Sequence, residues 1–354
     1  MKKTLKNDMI NATRPSLPVE SFSYDKVGNR LTSADASNWT YNQNNALIGY
    51  DGVNYMYDPN GNTTSKNESG QITNYLYNAK NRLTQVNLPN GHIATYLYDP
   101  FGRRISKTVD GTTTYFMYSD EGLIAEMDSS GNVQKTYGWK PGGTWGTNPV
   151  LMTSNGQTYF YHNDHLGTPQ KMTDSTGKIV WSAVYTSFGE ATIDGTSTIT
   201  NNLRFPGQYY DAETGLNYNW NRYYDPIIGR YLTADPIGLM GGPNTYRYSS
   251  NNPSRFYDYE GLDTNCTSCH KTAQQRDEEL QKENEEEEKQ LEALADAMSK
   301  TCAAGKVGKC NLEWENAKNA CFRDHNNPDN PLELQECVHE ADAKMSGCLA
   351  GARQ

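Results

Sequence analysis

The chain has 354 residues, of which 35% are hydrophobic and 11% aromatic, a size and composition that suit two folded domains. Its net charge of −10 is uneven, because residues 263–354 contain 19 acidic and 11 basic residues and the rest is nearly neutral. Neither part is basic enough to indicate a nucleic-acid partner, and no stretch reaches the roughly 18 uninterrupted apolar residues of a membrane-spanning helix.

Residues 1–20 begin with basic side chains, but no apolar run follows them, so they lack the pattern of a Sec signal peptide. We predict a disordered leader at these residues. Export of the protein would then depend on another carrier or on a part that this chain lacks.

Residues 21–202 contain a repeat whose regular copies start 20 or 21 residues apart, at Tyr57, Tyr77, Tyr98 and Tyr118. Each copy has an alternating aromatic run, such as NYMY or TYLY, followed by Asp, Asn or Ser and then Gly or Asn. Alternation with period two is typical of a strand, and the polar cluster is typical of a turn in which Asp or Asn caps backbone amides. We predict one β-hairpin per copy; the period alone leaves a solenoid or a propeller open.

Residues 203–262 contain several linked motifs in a short stretch: RFPGQYYDAETGL, NRYYDPIIGRY, DPIGL and DYEGL. Together with the repeats before them, they resemble the YD repeats and repeat-associated core of the RHS family. This family comprises bacterial proteins related to teneurins and to the shells of insecticidal toxin complexes. The resemblance covers residues 20–262 and stops there.

The resemblance implies a mainly β fold, in which the hairpin sheet of residues 21–202 coils into a partial hollow shell and residues 203–262 form a core that plugs it. Residues 263–354 would be the variable C-terminal domain packed as cargo, usually a toxin in the bacterial members. The chain would then be the C-terminal part of a secreted polymorphic effector used in interbacterial competition. Its further partners would be an immunity protein and a specialised secretion system or a carbohydrate.

The core of the family is similar to an aspartic protease that cuts its own chain after a D-P-x-G-L motif. Carried over to this sequence, the two carboxylates are Asp235 and Asp258, and the supporting cation is Arg222. The bond to be cut joins Leu262 to Asp263. Two carboxylates held close together share a proton, so that one activates water while the other protonates the leaving group.

Other interpretations remain open at this point. Asp235 and Asp258 precede Pro or Gly closely, so both could be ordinary turn caps, and Tyr259 replaces the Pro that usually follows the second aspartate of the family. For the whole chain, the alternatives are a YD-repeat protein that binds glycans at a cell surface and an inactive truncated remnant. A short shell would also leave an unpaired edge strand and favour association with other chains.

Three weaker candidates lie in the repeat region. His162, Asp164 and His165 have the H-x-x-H spacing of metal ligands, but they match a turn segment of the RHS array. The glycine-rich KPGGTWGT stretch from Lys140 lacks the spacing of a phosphate-binding loop. The tryptophans and tyrosines could stack on sugars, although aromatics at strand spacing are more often core.

Residues 263–354 contain all seven cysteines and no tyrosine. Their composition predicts a long acidic helix and then two shorter helices, one with Cys310 and Cys321 and the other with Cys337 and Cys348. Both pairs are 11 residues apart, close to three helical turns, so each pair lies on one helix face. An antiparallel hairpin of the two helices would form the disulfides Cys310–Cys348 and Cys321–Cys337, which require an oxidising compartment.

Reduced core cysteines or a metal site are the alternatives to these disulfides. Cys266 and Cys269 lie in CTSCH, the spacing of c-type haem attachment, but the polar segment offers no haem pocket or distal ligand. We therefore expect no cofactor and no metal. No motif in this part indicates an enzyme, and its target is not specified by the sequence.

Overall fold

The computed structural model describes residues 8–14, 17–33 and 36–262. Residues 1–7, 15 and 16 of the predicted leader lie outside them, as do Asp263 and the predicted helices and disulfides of residues 263–354. The rest of the leader is described, and it forms strand at Asn11–Arg14 and from Leu17 onward. The predictions for residues 263–354 stay predictions. The part of the chain that is described has no helix long and apolar enough to cross a membrane.

Antiparallel strands make up almost all of the regular secondary structure of the described residues, so the chain is mainly β as predicted. Two small hairpins come first: β1 (Asn11–Arg14) with β2 (Leu17–Ser21), and β3 (Ser23–Tyr24) with β4 (Arg30–Thr32). The main sheet then runs through 16 strands in chain order: β5 (Thr40–Tyr41), β6 (Leu47–Tyr50), β7 (Val53–Tyr57), β8 (Thr63–Glu68), β9 (Gln71–Tyr77), β10 (Leu83–Asn87), β11 (Ile93–Tyr98), β12 (Arg104–Val109), β13 (Thr112–Ser119), β14 (Gly122–Met127), β15 (Val133–Trp139), β16 (Pro149–Ser154), β17 (Gln157–Asn163), β18 (Pro169–Thr173), β19 (Ile179–Tyr185) and β20 (Ala191–Ile193).

A separate four-stranded sheet follows the main sheet. It consists of β21 (Tyr209–Asp211), β22 (Leu216–Asn219), β23 (Arg222–Asp225) and β24 (Arg230–Tyr231). Two short 3-10 helices, Gly238–Gly241 and Ser249–Asn251, lie in the irregular segment after it.

The repeated turn has a local physical cause. Between β7 and β8, Oδ1 of Asp58 accepts hydrogen bonds from the backbone N–H groups of Asn60 and Asn62, both at 2.9 Å. Gly61 closes the same turn with a φ of 82° and donates its N–H to the Asp58 carbonyl at 3.0 Å. A side chain at that φ would be strained, so the Asp and the Gly of the repeat are both required by one hairpin turn.

Tyrosines at the start of two repeat copies, Tyr57 and Tyr118, join neighbouring hairpins. The hydroxyl of Tyr57 donates to the carbonyl of Leu47 at 3.0 Å, and that of Tyr118 donates to the carbonyl of Arg104 at 2.9 Å. In both cases the acceptor lies on the preceding strand. A phenylalanine could fill the same space, but it could not satisfy that carbonyl.

One face of the main sheet packs on the segment that contains the four-stranded sheet. Thr63 of β8 donates its N–H to the carbonyl of Leu232 at 2.9 Å, and the hydroxyl of Tyr224 donates to the carbonyl of Phe188, beyond β19, at 2.7 Å. Eleven strand spacings separate β8 from β19, about 50 Å in a flat sheet, far more than four strands can cover. The main sheet therefore curves around the segment, and it is open, with β5 and β20 as its edges.

A buried ion pair connects the two sheets. Arg104 of β12 and Asp211 of β21 are both inaccessible to solvent; Nη1 of Arg104 contacts Oδ2 of Asp211, and Nη2 lies 3.0 Å from Oδ1. The ammonium of Lys107 lies 2.9 Å from Oδ1 of the same aspartate. Five aromatic rings surround the guanidinium: Tyr96, Phe116, Tyr209, Tyr218 and Tyr223.

Candidate functional site

Three separate elements bring the predicted site residues together. Arg222 is the first residue of β23, Asp235 follows β24, and Asp258 lies in the irregular segment that ends the described chain. Nη2 of Arg222 lies 2.9 Å from Oδ2 of Asp235 and 3.4 Å from Oδ2 of Asp258. No more than 3% of any of the three side chains is exposed. One guanidinium thus faces two carboxylates in a dry environment, where the excess negative charge favours a shared proton.

The electrostatics of Asp258 agree with this arrangement. Burial raises the pKa of Asp258, while the Arg222 guanidinium and the Tyr231 hydroxyl offset part of the rise. Burial and the neighbouring Asp258 raise the pKa of Tyr231 as well, so its hydroxyl stays neutral. A carboxyl with a raised pKa keeps its proton at a pH where an exposed aspartate has lost it.

A tight turn orients Asp258. Its Oδ1 accepts hydrogen bonds from the N–H groups of Gly261 at 2.7 Å and Leu262 at 3.1 Å. Gly261 has a φ of 71°, and a Cβ there would lie 2.5 Å from the carbonyl oxygen of Asn219. The turn is closed with Tyr259 in the position where the family usually has Pro.

Asp235 lies beside the carbonyl of the predicted cleavage bond. Its Oδ1 accepts a hydrogen bond from the N–H of Ile237 at 3.0 Å, which leaves Oδ2 for Arg222. A Cβ on Gly241 would lie 2.6 Å from Oδ2 of Asp235 and 3.2 Å from the carbonyl oxygen of Leu262, so these two oxygens are less than about 6 Å apart. Both aspartates therefore cap a turn with one oxygen and face Arg222 with the other, and the turn-cap interpretation does not exclude the site.

The hairpin of β22 and β23 holds the segment that leads to Leu262 by four hydrogen bonds to three of its carbonyls. Nδ2 of Asn219 donates to the carbonyl of Asp258 at 2.8 Å, and the N–H and Nδ2 of Asn221 both donate to the carbonyl of Glu260 at 3.1 Å. Nε of Arg222 donates to the carbonyl of Gly261. A peptide segment with three held carbonyls has little freedom to move away from the two carboxylates.

Sequence reasoning missed Asn219, Asn221 and Tyr231. The hydroxyl of Tyr231 donates to Oδ2 of Asp258 at 2.8 Å and accepts a hydrogen bond from Nδ2 of Asn219, also at 2.8 Å. The Arg222 guanidinium carbon lies 3.6 Å from the centre of the Tyr231 ring. The motif NWNRYY did signal polar residues at close spacing, but each Asn by itself reads as a turn residue.

The weaker metal candidate has other partners in the structure. Oδ1 of Asp164 accepts hydrogen bonds from the N–H groups of Leu166 at 2.9 Å and Thr168 at 3.0 Å, as the caps of the repeat turns do. Nε2 of His165 lies 2.9 Å from the carbonyl oxygen of Ser254. Within the described ranges, no group of three or more His, Cys, Asp or Glu residues is placed to hold a metal ion.

Comparisons with known proteins cover the same part of the chain. Residues 6–261 match the family described as the teneurin YD-shell. The chain is 32% identical over 276 residues to double-stranded DNA deaminase toxin A of Burkholderia cenocepacia (strain H111), covering 69% of this chain and 19% of that protein. It is 46% identical over 103 residues to the toxin protein Tse5 of Pseudomonas aeruginosa, covering 29% of this chain and 8% of that protein.

Two further matches extend this comparison. The tRNA nuclease WapA of Bacillus subtilis (strain 168) is 35% identical over 254 residues, which cover 68% of this chain and 9% of that protein. A structure of the Photorhabdus luminescens Tc holotoxin pore matches with 20% identity and a TM-score of 0.45, covering 73% of this chain and 17% of the other. The chain thus spans a small part of the length of each of these relatives.

Proposed function

The chain belongs to the teneurin YD-shell family, with relatives that include toxins, and on that premise we propose that residues 203–262 form an aspartic autoprotease. It cuts the bond between Leu262 and Asp263 and releases residues 263–354 as an effector. The observation that carries this proposal is the convergence of Asp235, Asp258 and Arg222, all buried, beside the carbonyl of Leu262.

The proposed reaction needs no group from outside the chain except water. Water adds to the carbonyl carbon of Leu262 as one carboxylate removes its proton, and the proton on the other carboxyl passes to the nitrogen of Asp263. The C–N bond then breaks, leaving a carboxyl group on Leu262 and an amine on Asp263. Arg222 offsets the negative charge that remains on the pair.

Catalysis of this kind depends on positioning, and the hydrogen bonds around the proposed cut support it. The hydrogen bonds from Asn219, Asn221 and Arg222 hold the carbonyls of the segment before the cut. Because the substrate is part of the same chain, the reaction is intramolecular, and one turnover completes it.

The released part would act outside this shell. We assign it to a secreted effector delivered to a competing or host cell, with an immunity protein in the producing cell, and its predicted disulfides would form in an oxidising compartment. The family match ends at residue 261, so the proposal does not carry the nucleic-acid activities in the names of the relatives over to residues 263–354.

The direct test starts from uncleaved chain recovered from inclusion bodies in urea. After dilution into refolding buffer, the species of 39.7 kDa should give way to two fragments, one of which has an N-terminal sequence that begins DTNCTSCH. A chain that refolds, as judged by circular dichroism, and keeps its full mass would overturn the proposal.

Replacing Tyr231 by Phe should slow cleavage without stopping it. The change removes the hydrogen bond to Oδ2 of Asp258 and the acceptor of the one from Nδ2 of Asn219, and it keeps the ring beneath Arg222. A hydrogen bond to a charged group contributes about 1.5–3 kcal/mol, which corresponds to a rate that is about 10- to 100-fold lower. The rate is measured by mass spectrometry after dilution from urea.

Tyr224→Phe is the matched control, because the Tyr224 hydroxyl is equally buried in the neighbouring strand and donates to the Phe188 carbonyl, away from the carboxylates. It should cleave at the rate of the unmodified chain. Equal rates for the two variants would show that Tyr231 does not orient Asp258.

A further inference from the structure

The glycine-rich stretch of residues 140–147 has no role in the chemistry above. It connects β15 to β16 and contacts the segment of residues 203–262 at two points, one through a side chain and one through backbone. The first point lies next to Asn219 and Asn221, which hold the segment before the proposed cut, and the second contacts Tyr259 in that segment.

The first contact is a pair of tryptophans. The ring of Trp145 lies 4.4 Å from the ring of Trp220, centre to centre. Trp220 is in the turn between β22 and β23 with a φ of 47°, a conformation that a bulky residue rarely adopts and that costs about 1–3 kcal/mol. Its neighbours in the chain are Asn219 and Asn221, which hold the carbonyls of Asp258 and Glu260.

The second contact runs through backbone alone. Gly207 donates its N–H to the carbonyl of Gly146 at 2.9 Å. A Cβ on Gly207 would lie 2.1 Å from the carbonyl oxygen of Tyr259 and 2.7 Å from its Cα. The chain at Gly207 is therefore in direct contact with the residue that follows Asp258, and no side chain fits between them.

We infer that the loop of residues 140–147 positions the cleavage site, through Trp145 against Trp220 and through Gly146 against Gly207. The inference rests on the proposed autoproteolysis and adds its regulation. Trp145 and Gly207 are positioning residues, because they act through Trp220 and Tyr259 and not on the reacting atoms. Cleavage then requires that β15 and β16 are folded onto the core, so the C-terminal part stays attached until this region of the sheet has formed.

Two glycine variants separate positioning from backbone strain. Gly207→Ala and Gly215→Ala both place a Cβ on a residue with a similar φ, 77° and 73°, in the same segment. The Cβ at position 215 meets nothing within 4 Å, whereas the one at position 207 meets the Tyr259 backbone. Displacing reacting groups by about 1 Å lowers rates about 100-fold, so we expect at least a tenfold loss in Gly207→Ala and the unmodified rate in Gly215→Ala.

A second pair tests the ring contact. Trp145→Phe keeps an aromatic ring against Trp220 and should cleave within about threefold of the unmodified chain, whereas Trp145→Ala should be at least about tenfold slower. Each substitution is also made in the Asp235→Asn chain, so that its melting temperature is measured without cleavage. If the cleavage rate fell only in step with the melting temperature across all four variants, Trp145 and Gly207 would affect stability and not the position of the cleavage site.

The outcomes distinguish the inference from the proposed function. If the unmodified chain cleaves and Gly207→Ala and Trp145→Ala cleave equally fast, the inference is wrong and the autoproteolysis stands. If the refolded, unmodified chain stays intact, both are wrong. Slow cleavage in these two variants, with normal rates in Gly215→Ala and Trp145→Phe, supports both.

Discussion

Asp235→Asn should leave the protein as a single species of 39.7 kDa under conditions where the unmodified chain yields two fragments. The amide keeps the volume of the carboxylate and an oxygen that can accept the N–H of Ile237, but it cannot accept a proton from water or release one. Loss of a general acid or base lowers rates about 100- to 10,000-fold, so no cleavage is expected over hours. Asp258→Asn should have the same effect. Intact mass after dilution from urea measures both.

Asp225→Asn is the control for these variants. Asp225 is a buried aspartate at the end of β23; burial raises its pKa, and its Oδ1 accepts the N–H of Ile227 at 2.9 Å, an interaction that an amide oxygen preserves. This variant should cleave normally. Cleavage that continues in Asp235→Asn, or that stops equally in Asp225→Asn, would contradict the assignment of Asp235 to the reaction.

Asp211→Asn should produce the largest loss of stability. The change leaves the fully buried guanidinium of Arg104 without its counter-charge, and Lys107 loses the same partner. Removing one partner of a buried ion pair lowers the free energy of unfolding by about 3–5 kcal/mol. The free energy is measured by urea titration in the Asp235→Asn background, where no cleavage occurs. Asp194→Asn, at an exposed turn, should leave the urea midpoint unchanged.

The loss should depend on pH in a defined direction. Burial by itself raises the pKa of Asp211, but Arg104 and Lys107 outweigh it and lower this pKa below the ordinary value. The stabilisation is therefore complete above the unfolded-state pKa of about 3.9 and disappears as the pH falls through the lower folded-state pKa. The difference in the free energy of unfolding between the chain with Asp211 and the Asp211→Asn chain should shrink on acidification below about pH 4. A difference that is small at pH 7, or that grows in acid, would contradict this account of the ion pair.

The repeat hairpins could be predicted from the sequence because their causes are local. Asp58 caps the turn two to four residues away, and Gly61 supplies the positive φ of that same turn. Alternation of buried and exposed positions, as in β7, follows from the period of two in a strand. Neither feature requires knowledge of the rest of the chain.

The candidate site was a different case. Asp235, Asp258 and Arg222 were named through a family resemblance, and nothing in their spacing alone would have paired Arg222 with an aspartate 36 residues away. Tyr231 and Asn219 were missed because a tyrosine in a strand and an asparagine before a turn are ordinary locally. Their roles arise only where β22 and β24 meet the segment before Leu262.

The sequence by itself thus determined the hairpins and turns of the repeats, and with them the mainly β class, since each depends on residues within a few positions of one another. Only the tertiary structure decided which charges are buried. Arg104 and Asp211 lie 107 residues apart. In the sequence RRISK, Arg104 is the second residue, and the sequence alone would suggest an exposed basic residue near a turn. Burial and pairing depend on contacts between distant residues, and these exist only once the main sheet has curved around the segment that it encloses.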